Sequence, residues 1–104
     1  MVGEAAFANK HLDAIERIED VEVSAICGGM ANNTEALAKQ CNIPFWTTDL
    51  TEASTQANIE ANILATPTGI QASQAIQFMQ AGKHVLVEIP MAENLADSEE
   101  LVRV

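Results

Sequence analysis

The chain lacks most of the residues that advertise common functions. Its 104 residues include no tyrosine, one tryptophan, three prolines, two cysteines and two histidines, and only five lysines and arginines against fifteen acids. A formal net charge of −10 repels a phosphate backbone, which argues against nucleic acid as a partner and against anionic membrane surfaces as well. No apolar run approaches the roughly 18 residues that span a bilayer. The opening "MVGEAAFANKH" has no basic stretch followed by an apolar one, so no secretory leader is legible. Cys27 and Cys41 form no CxxC pair and do not stand at metal-ligand spacing from His11 or His84, so no metal site is expected. Two isolated thiols fit a reducing compartment, the cytoplasm, and small buried side chains. The length allows one domain with one core, residues 1–104.

What is present is an alternation of helical and strand periods. Phe7, His11, Ile15 and Ile18 recur at three and four residues and predict a helix over about 5–18. "VEVSAIC" (21–27) reads as a strand broken by Gly28 and Gly29. A helix over 34–41 follows, with Asn32 or Asn33 as its cap, then a strand over 43–48 with Pro44 at its start or edge. Asp49 and Glu52 have capping-box spacing for a short helix over about 50–57. "ANILAT" (61–66) is a strand stopped by Pro67. The next helix (69–82) presents Ile70, Gln71, Ala75, Phe78 and Met79 on one face and ends at Gly82. A strand over 84–88 and a last helix capped by Asn94, with Asp97 in its first turn, complete the chain. Short connections between alternating strands and helices require parallel strands covered on both faces, a doubly wound α/β sheet. Its first strand is truncated to Met1-Val2. In dinucleotide-binding sheets that strand is central, so an open slot between strands 21–27 and 61–66 is expected, and self-association into a homo-oligomer with it.

Three stretches sit where such sheets bind ligands. "GEAAFA" occupies the place of the glycine turn that brings backbone close to a pyrophosphate. Only Gly3 remains of three glycines, with Ala5 and Ala8 in the other places and Glu4 adding negative charge. An ordinary helix start is the alternative. Cys27-Gly28-Gly29 holds neither the acid that takes ribose hydroxyls nor an arginine for a 2′-phosphate, so NAD and NADP are not distinguished; a plain turn is the alternative. "ATPTG" (65–69) places Thr66 and Thr68 around Pro67 at the sheet's carboxyl edge, or else caps the next helix with its threonines.

Taken together, "AGKHVLVEIP", "ATPTGIQASQAIQFM" and "FANKHLDAI" resemble the nucleotide-binding half of the Gfo/Idh/MocA (glucose–fructose oxidoreductase / inositol dehydrogenase) family across essentially the whole chain. The resemblance implies a Rossmann-like domain that holds NAD or NADP for hydride transfer to or from a hydroxyl or aldehyde carbon. It implies that Gly3, Ala5, Ala6, Phe7 and Ala8 lie along the pyrophosphate and that Cys27 and Gly28 lie at the ribose turn. Thr66, Pro67 and Thr68 would line the path toward the nicotinamide, and Glu88 and Pro90 would flank it. Where the family often has a lysine and a histidine, this chain has Ile89 and Gln71, so no catalytic residue is assigned. Family proteins are about three times as long, with a second domain for the substrate, so this chain by itself is expected to hold cofactor without turnover. The alternative reading is a degenerate, non-catalytic Rossmann module that self-associates or serves as a subunit.

Overall fold

The computed structural model describes residues 1–4 and 6–104. Among these, the elements in chain order are α1 (Ala6–Ile15), β1 (Ala25–Cys27), α2 (Ala31–Gln40), β2 (Phe45–Thr47), α3 (Leu50–Ser54), β3 (Ala61–Leu64), α4 (Thr68–Gln80), β4 (His84–Val87) and α5 (Leu95–Arg103). β1 pairs in parallel with β2, and β3 with β4 in the register Ala61 to His84 through Leu64 to Val87. Val2 bridges Cys27 on one side and Leu64 on the other. The order across the sheet is therefore β2, β1, the Val2 segment, β3, β4, with β2 and β4 at the edges. This is the doubly wound parallel sheet that the alternation requires.

Each face of the sheet carries its own core. Leu12 of α1 and Leu37 and Ala38 of α2 pack with Ile26 and Ile43. On the other side Phe78 and Ala75 of α4, Ala53 of α3 and Leu101 of α5 close over Val2, Cys27 and Leu64. Local signals set several boundaries. The Asp49 carboxylate accepts from the Thr51 and Glu52 N–H groups at the start of α3, and the Asn94 side chain accepts from the Asp97 N–H at the start of α5. α4 ends in a Schellman turn: Gly82 has φ +83°, its N–H reaches Met79 O, and the Lys83 N–H reaches Phe78 O.

Other expectations are corrected. α1 turns Ala8 and Leu12 inward and leaves Phe7 exposed, and it ends at Ile15, so that Ile18 lies beyond it, also exposed. On α4 Ala72 replaces Ile70 on the buried face. α2 begins at Ala31, with Met30 and not Asn32 or Asn33 in the capping position. Cys41 is exposed, whereas Cys27 is buried.

The central slot is half filled. The Met1 ammonium donates to Ala25 O (3.1 Å), Cys27 N–H donates to Met1 O (2.9 Å), and Gly3 N–H donates to Cys27 O (2.8 Å). On the other flank Val2 N–H donates to Ile63 O and Ala65 N–H to Val2 O, both at 2.8 Å. The wholly open gap expected from the sequence is thus corrected: three residues knit β1 to β3, because the paired parts of those strands are only three and four residues long. Below Met1 the two strands diverge around a cavity of about 460 Å³, lined by residues 20–25 and 58–63. Residues 21–24 line this cavity, and the strand predicted over 21–27 shortens to Ala25–Cys27.

The buried terminus has a consequence for stability. Burial lowers the Met1 ammonium from 8.0 to about 6, against a weaker raising influence from Cys27. The folded state therefore binds fewer protons than the unfolded state between these values. Stability from this group is full above pH 8.0 and is lost as pH falls toward about 6. The expected loss is about 2–3 kcal/mol. Urea midpoints of the free and the N-terminally acetylated chain, compared across this window, check it: the pH-dependent difference should vanish with the ammonium. Parallel curves for the two would show that the Met1 amino group is not desolvated in the folded chain.

Candidate functional site

Three strand ends and the Met1–Gly3 turn meet at the carboxyl edge of the sheet. The Met1–Gly3 segment runs through Glu4 into α1, and β1 runs through Gly28, Gly29 and Met30 into α2. β3 runs through Ala65, Thr66 and Pro67 into α4, while β4 leads to Glu88, Ile89 and Pro90, with a cis Ile89–Pro90 peptide. This is the edge at which open α/β sheets bind ligands.

Gly3 is forced to be glycine twice over. Its φ is +117°, and a Cβ there would collide with the Ala65 carbonyl. Two strand-end loops thereby touch backbone to backbone at the entrance to α1. Ala8 is fully buried against the sheet, so alanine performs the close-packing role of the third glycine. The first turn of α1 carries no acidic residue, which keeps the positive end of that helix free of intramolecular carboxylates. Ala6 and Phe7 are exposed beside it, and Lys10 lies over the Phe7 ring at 5.7 Å. Ala5 lies outside the described residues.

Glu4 does not point at that helix start. Its Oε1 accepts from Met30 N–H (3.1 Å) and its Oε2 from the Thr34 hydroxyl, so the carboxylate crosses to the beginning of α2. A Cβ on Gly28 would collide with both the Thr34 hydroxyl and Glu4. Cys27 is buried, and desolvation, aided by nearby acids, raises its thiol despite the opposing Met1 ammonium.

At the α4 side the Thr66 hydroxyl donates to Gln74 Oε1 (2.7 Å), and Gln71 Nε2 donates to Thr66 O (2.9 Å). Gln71 is almost wholly buried and its Oε1 has no partner. The threonines do not cap α4: Pro67 holds that position with no side-chain hydrogen bond. Glu88 is paired with His11 Nε2, tying the end of β4 to α1. Ile89 is 94% exposed and Pro90 is exposed beside it.

The structure thus gathers Gly3, Ala6, Phe7, Ala8, Cys27, Gly28, Thr66, Pro67, Thr68, Glu88 and Pro90 onto one edge. Sequence reasoning missed the reach of Glu4 to Thr34 and the His11–Glu88 pair. These contacts span 30 and 77 residues, and no local pattern encodes either. The close-approach backbone at Gly3 and Gly28 and the unencumbered start of α1 suit a dinucleotide. Among the described residues no cluster of three His, Cys, Asp or Glu could hold a metal ion, and no helix is long and apolar enough to cross a membrane.

Comparison with known proteins agrees with this geometry. The model of the Gfo/Idh/MocA oxidoreductase family, NAD-binding Rossmann fold, matches residues 1–104. The chain is 41% identical to 4-carboxy-2-hydroxymuconate-6-semialdehyde dehydrogenase of Sphingobium sp. over 99% of its own length and 33% of the relative. It is 29% identical to scyllo-inositol 2-dehydrogenase (NADP(+)) of Bacillus subtilis over 98% of its length and 31% of that protein. Among solved structures, the WlbA dehydrogenase of Bordetella pertussis in complex with NADH and UDP-GlcNAcA superposes with a TM-score of 0.91 at 32% identity, covering 98% of this chain and 31% of that one. The chain spans about a third of the length of the curated relatives it matches. A match from first residue to last, on a parallel sheet whose glycine turn closes against the neighbouring strand end, makes this chain a member of the Gfo/Idh/MocA oxidoreductase family, folded as its NAD-binding Rossmann domain.

Proposed function

We propose that residues 1–104 act as one cofactor-binding domain, holding a nicotinamide dinucleotide along the carboxyl edge of the sheet for an oxidoreductase of small hydroxy or aldehyde substrates. The observation that carries this reading is the Gly3 turn, pressed onto Ala65 and opening into a helix start free of acids. In this reading the backbone from Gly3 through Ala8 holds the pyrophosphate, Gly28 and the end of β1 the adenosine ribose, and Thr66, Pro67 and Thr68 the path to the nicotinamide. Glu88 and Pro90 border the far end, with His11 holding the Glu88 carboxylate in position. A bound nicotinamide supplies hydride acceptance or donation; the chain supplies orientation.

Ile89 cannot titrate and Gln71 is a buried amide, so neither of these positions supplies a proton-transfer group. One relative is named for NADP(+) and one structural neighbour holds NADH, so family membership leaves the choice of dinucleotide to this chain's own residues. The two unmodified cysteines suit a cytoplasmic setting. We further propose that copies self-associate, since the half-open slot and exposed Ile89, Leu95 and Val102 leave apolar surface to cover.

Titration calorimetry with NADH and NADPH tests the cofactor reading. Saturable binding in the high micromolar range is expected, weak because one glycine of the turn is Ala5. No aldehyde-dependent turnover should accompany it. Absence of saturation by either dinucleotide at millimolar concentration would remove the reading.

A further inference from the structure

We infer that Glu4 is the residue that selects the dinucleotide, favouring the free ribose hydroxyls of NAD(H) over the 2′-phosphate of NADP(H). The inference rests on the cofactor reading above and adds to it which form is bound. In dinucleotide-binding sheets this selection comes from the end of the second strand, where an acid accepts from the ribose hydroxyls or an arginine meets the phosphate. Here that position is Cys27-Gly28-Gly29, which offers neither. The tertiary structure supplies a carboxylate from elsewhere. Glu4 leaves the glycine turn, lies over Gly28, and is fixed by Met30 N–H on one oxygen and the Thr34 hydroxyl on the other.

That anchoring has two effects. Each carboxylate oxygen uses one lone pair on the protein and keeps another, so the group can accept from two neighbouring hydroxyls. Its orientation is set before any ligand arrives, because both anchors belong to the start of α2 and Thr34 is itself fully buried. Gly28 is what lets the carboxylate lie there, since a side chain would occupy its place.

A 2′-phosphate at the same turn would bring about two further negative charges beside a fixed carboxylate. Residues 28–34 contain no lysine or arginine. Lys39, on the last turn of α2, is paired with Glu35, and Lys83 donates to Gln56 O. Arg103 pairs with Glu100, and Lys10 lies over Phe7. No lysine or arginine of the turn compensates this repulsion, and discrimination comes from rejecting the wrong ligand as much as from holding the right one.

The test is a calorimetric comparison of NADH and NADPH on the unaltered chain and on Glu4→Gln, with ADP and 2′,5′-ADP as competitors. The unaltered chain should bind NADH at least about tenfold more tightly than NADPH, and ADP should displace NADH where 2′,5′-ADP does not. Glu4→Gln keeps the shape and removes the charge; NADPH should gain about tenfold while NADH weakens several-fold. Equal affinity of the unaltered chain for both dinucleotides, or an unchanged ratio in Glu4→Gln, overturns the assignment while the cofactor reading stands. The competitor arm on the unaltered chain decides the matter even where the variant folds poorly. Binding of neither dinucleotide to any of the proteins overturns both.

Discussion

Five β-branched apolar residues added before Met1 are expected to raise the thermal unfolding midpoint by roughly 10 °C or more. In a parallel ladder the N–H and C=O of one residue face the same neighbour, and successive residues face alternate neighbours. Met1 faces β1 and Val2 faces β3. The residue before Met1 would therefore meet the Ile63 N–H and the Ala61 carbonyl, and the one before that the Ala25 N–H and the Val23 carbonyl. These groups border the cavity that opens below Met1. Asn62, also lining it, has a buried Nδ2 with no acceptor. Four backbone bonds at about 1 kcal/mol each and apolar burial of about 1.5–3 kcal/mol per side chain outweigh the roughly 1.5 kcal/mol needed to order each residue. The net gain is a few kcal/mol, and the extension also replaces a buried ammonium with a neutral amide.

Calorimetric melting checks this, with a Gly-Ser extension of equal length as control. Amide exchange should slow at residues 23–25 and 61–63. Sedimentation over a tenfold concentration range should shift toward monomer, because the slot that another copy could enter is filled. An apolar extension that melts with the Gly-Ser control would show that the cavity does not accept a strand.

The second large effect concerns Gly3. Gly3→Val is expected to cost more than about 3 kcal/mol of stability and to abolish dinucleotide binding. Valine at φ +117° is strained whatever space surrounds it, and here its Cβ would meet the Ala65 carbonyl. To relieve the collision the segment must leave the slot and break the bonds that join Val2 to Ile63 and Ala65 and Gly3 to Cys27. The central connection of the sheet and the entrance to α1 then fail together. Gly82→Ala separates backbone strain from the close approach. Gly82 also has positive φ, but a Cβ there meets nothing within 4 Å. That substitution should cost about 1 kcal/mol and leave binding intact. Chemical denaturation and calorimetry on the two variants give the comparison, and equal effects at the two glycines would remove Gly3 from its pivotal place.

Much of this fold is written in short-range chemistry. Alternation of strand and helix periods over 61–88 leads to a parallel pair with a crossover helix, since no other arrangement returns the chain over so short a span. Asp49 and Asn94 cap α3 and α5 by bonds reaching two or three residues ahead, and Gly82 closes α4 by a turn only a few residues wide. Such interactions depend on neighbours in sequence and can be read from it. The stretch from Ala81 to Pro90 was specific enough to name the family.

Contacts between distant segments were settled only by packing. The inward face of α1 depended on which residue fitted against the sheet: periodicity offered Phe7 and His11, and the contact admitted Ala8 and Leu12. A strand over 21–27 was legible in composition, but in the fold only Ala25–Cys27 pairs and residues 21–24 line the cavity. Met1 to Gly3 looked too short to be a strand, yet they join β1 and β3 because those strands already stand at pairing distance on either side. The target of Glu4 was invisible for the same reason. By position it was a charge beside a phosphate turn; in the fold it belongs to Thr34 and Met30, thirty and twenty-six residues away. Sequence determined the elements and their parallel order through local hydrogen bonding and periodic burial. Tertiary structure decided which faces meet and where each carboxylate points, because those choices depend on the combined shape of segments that become neighbours only once the chain has folded.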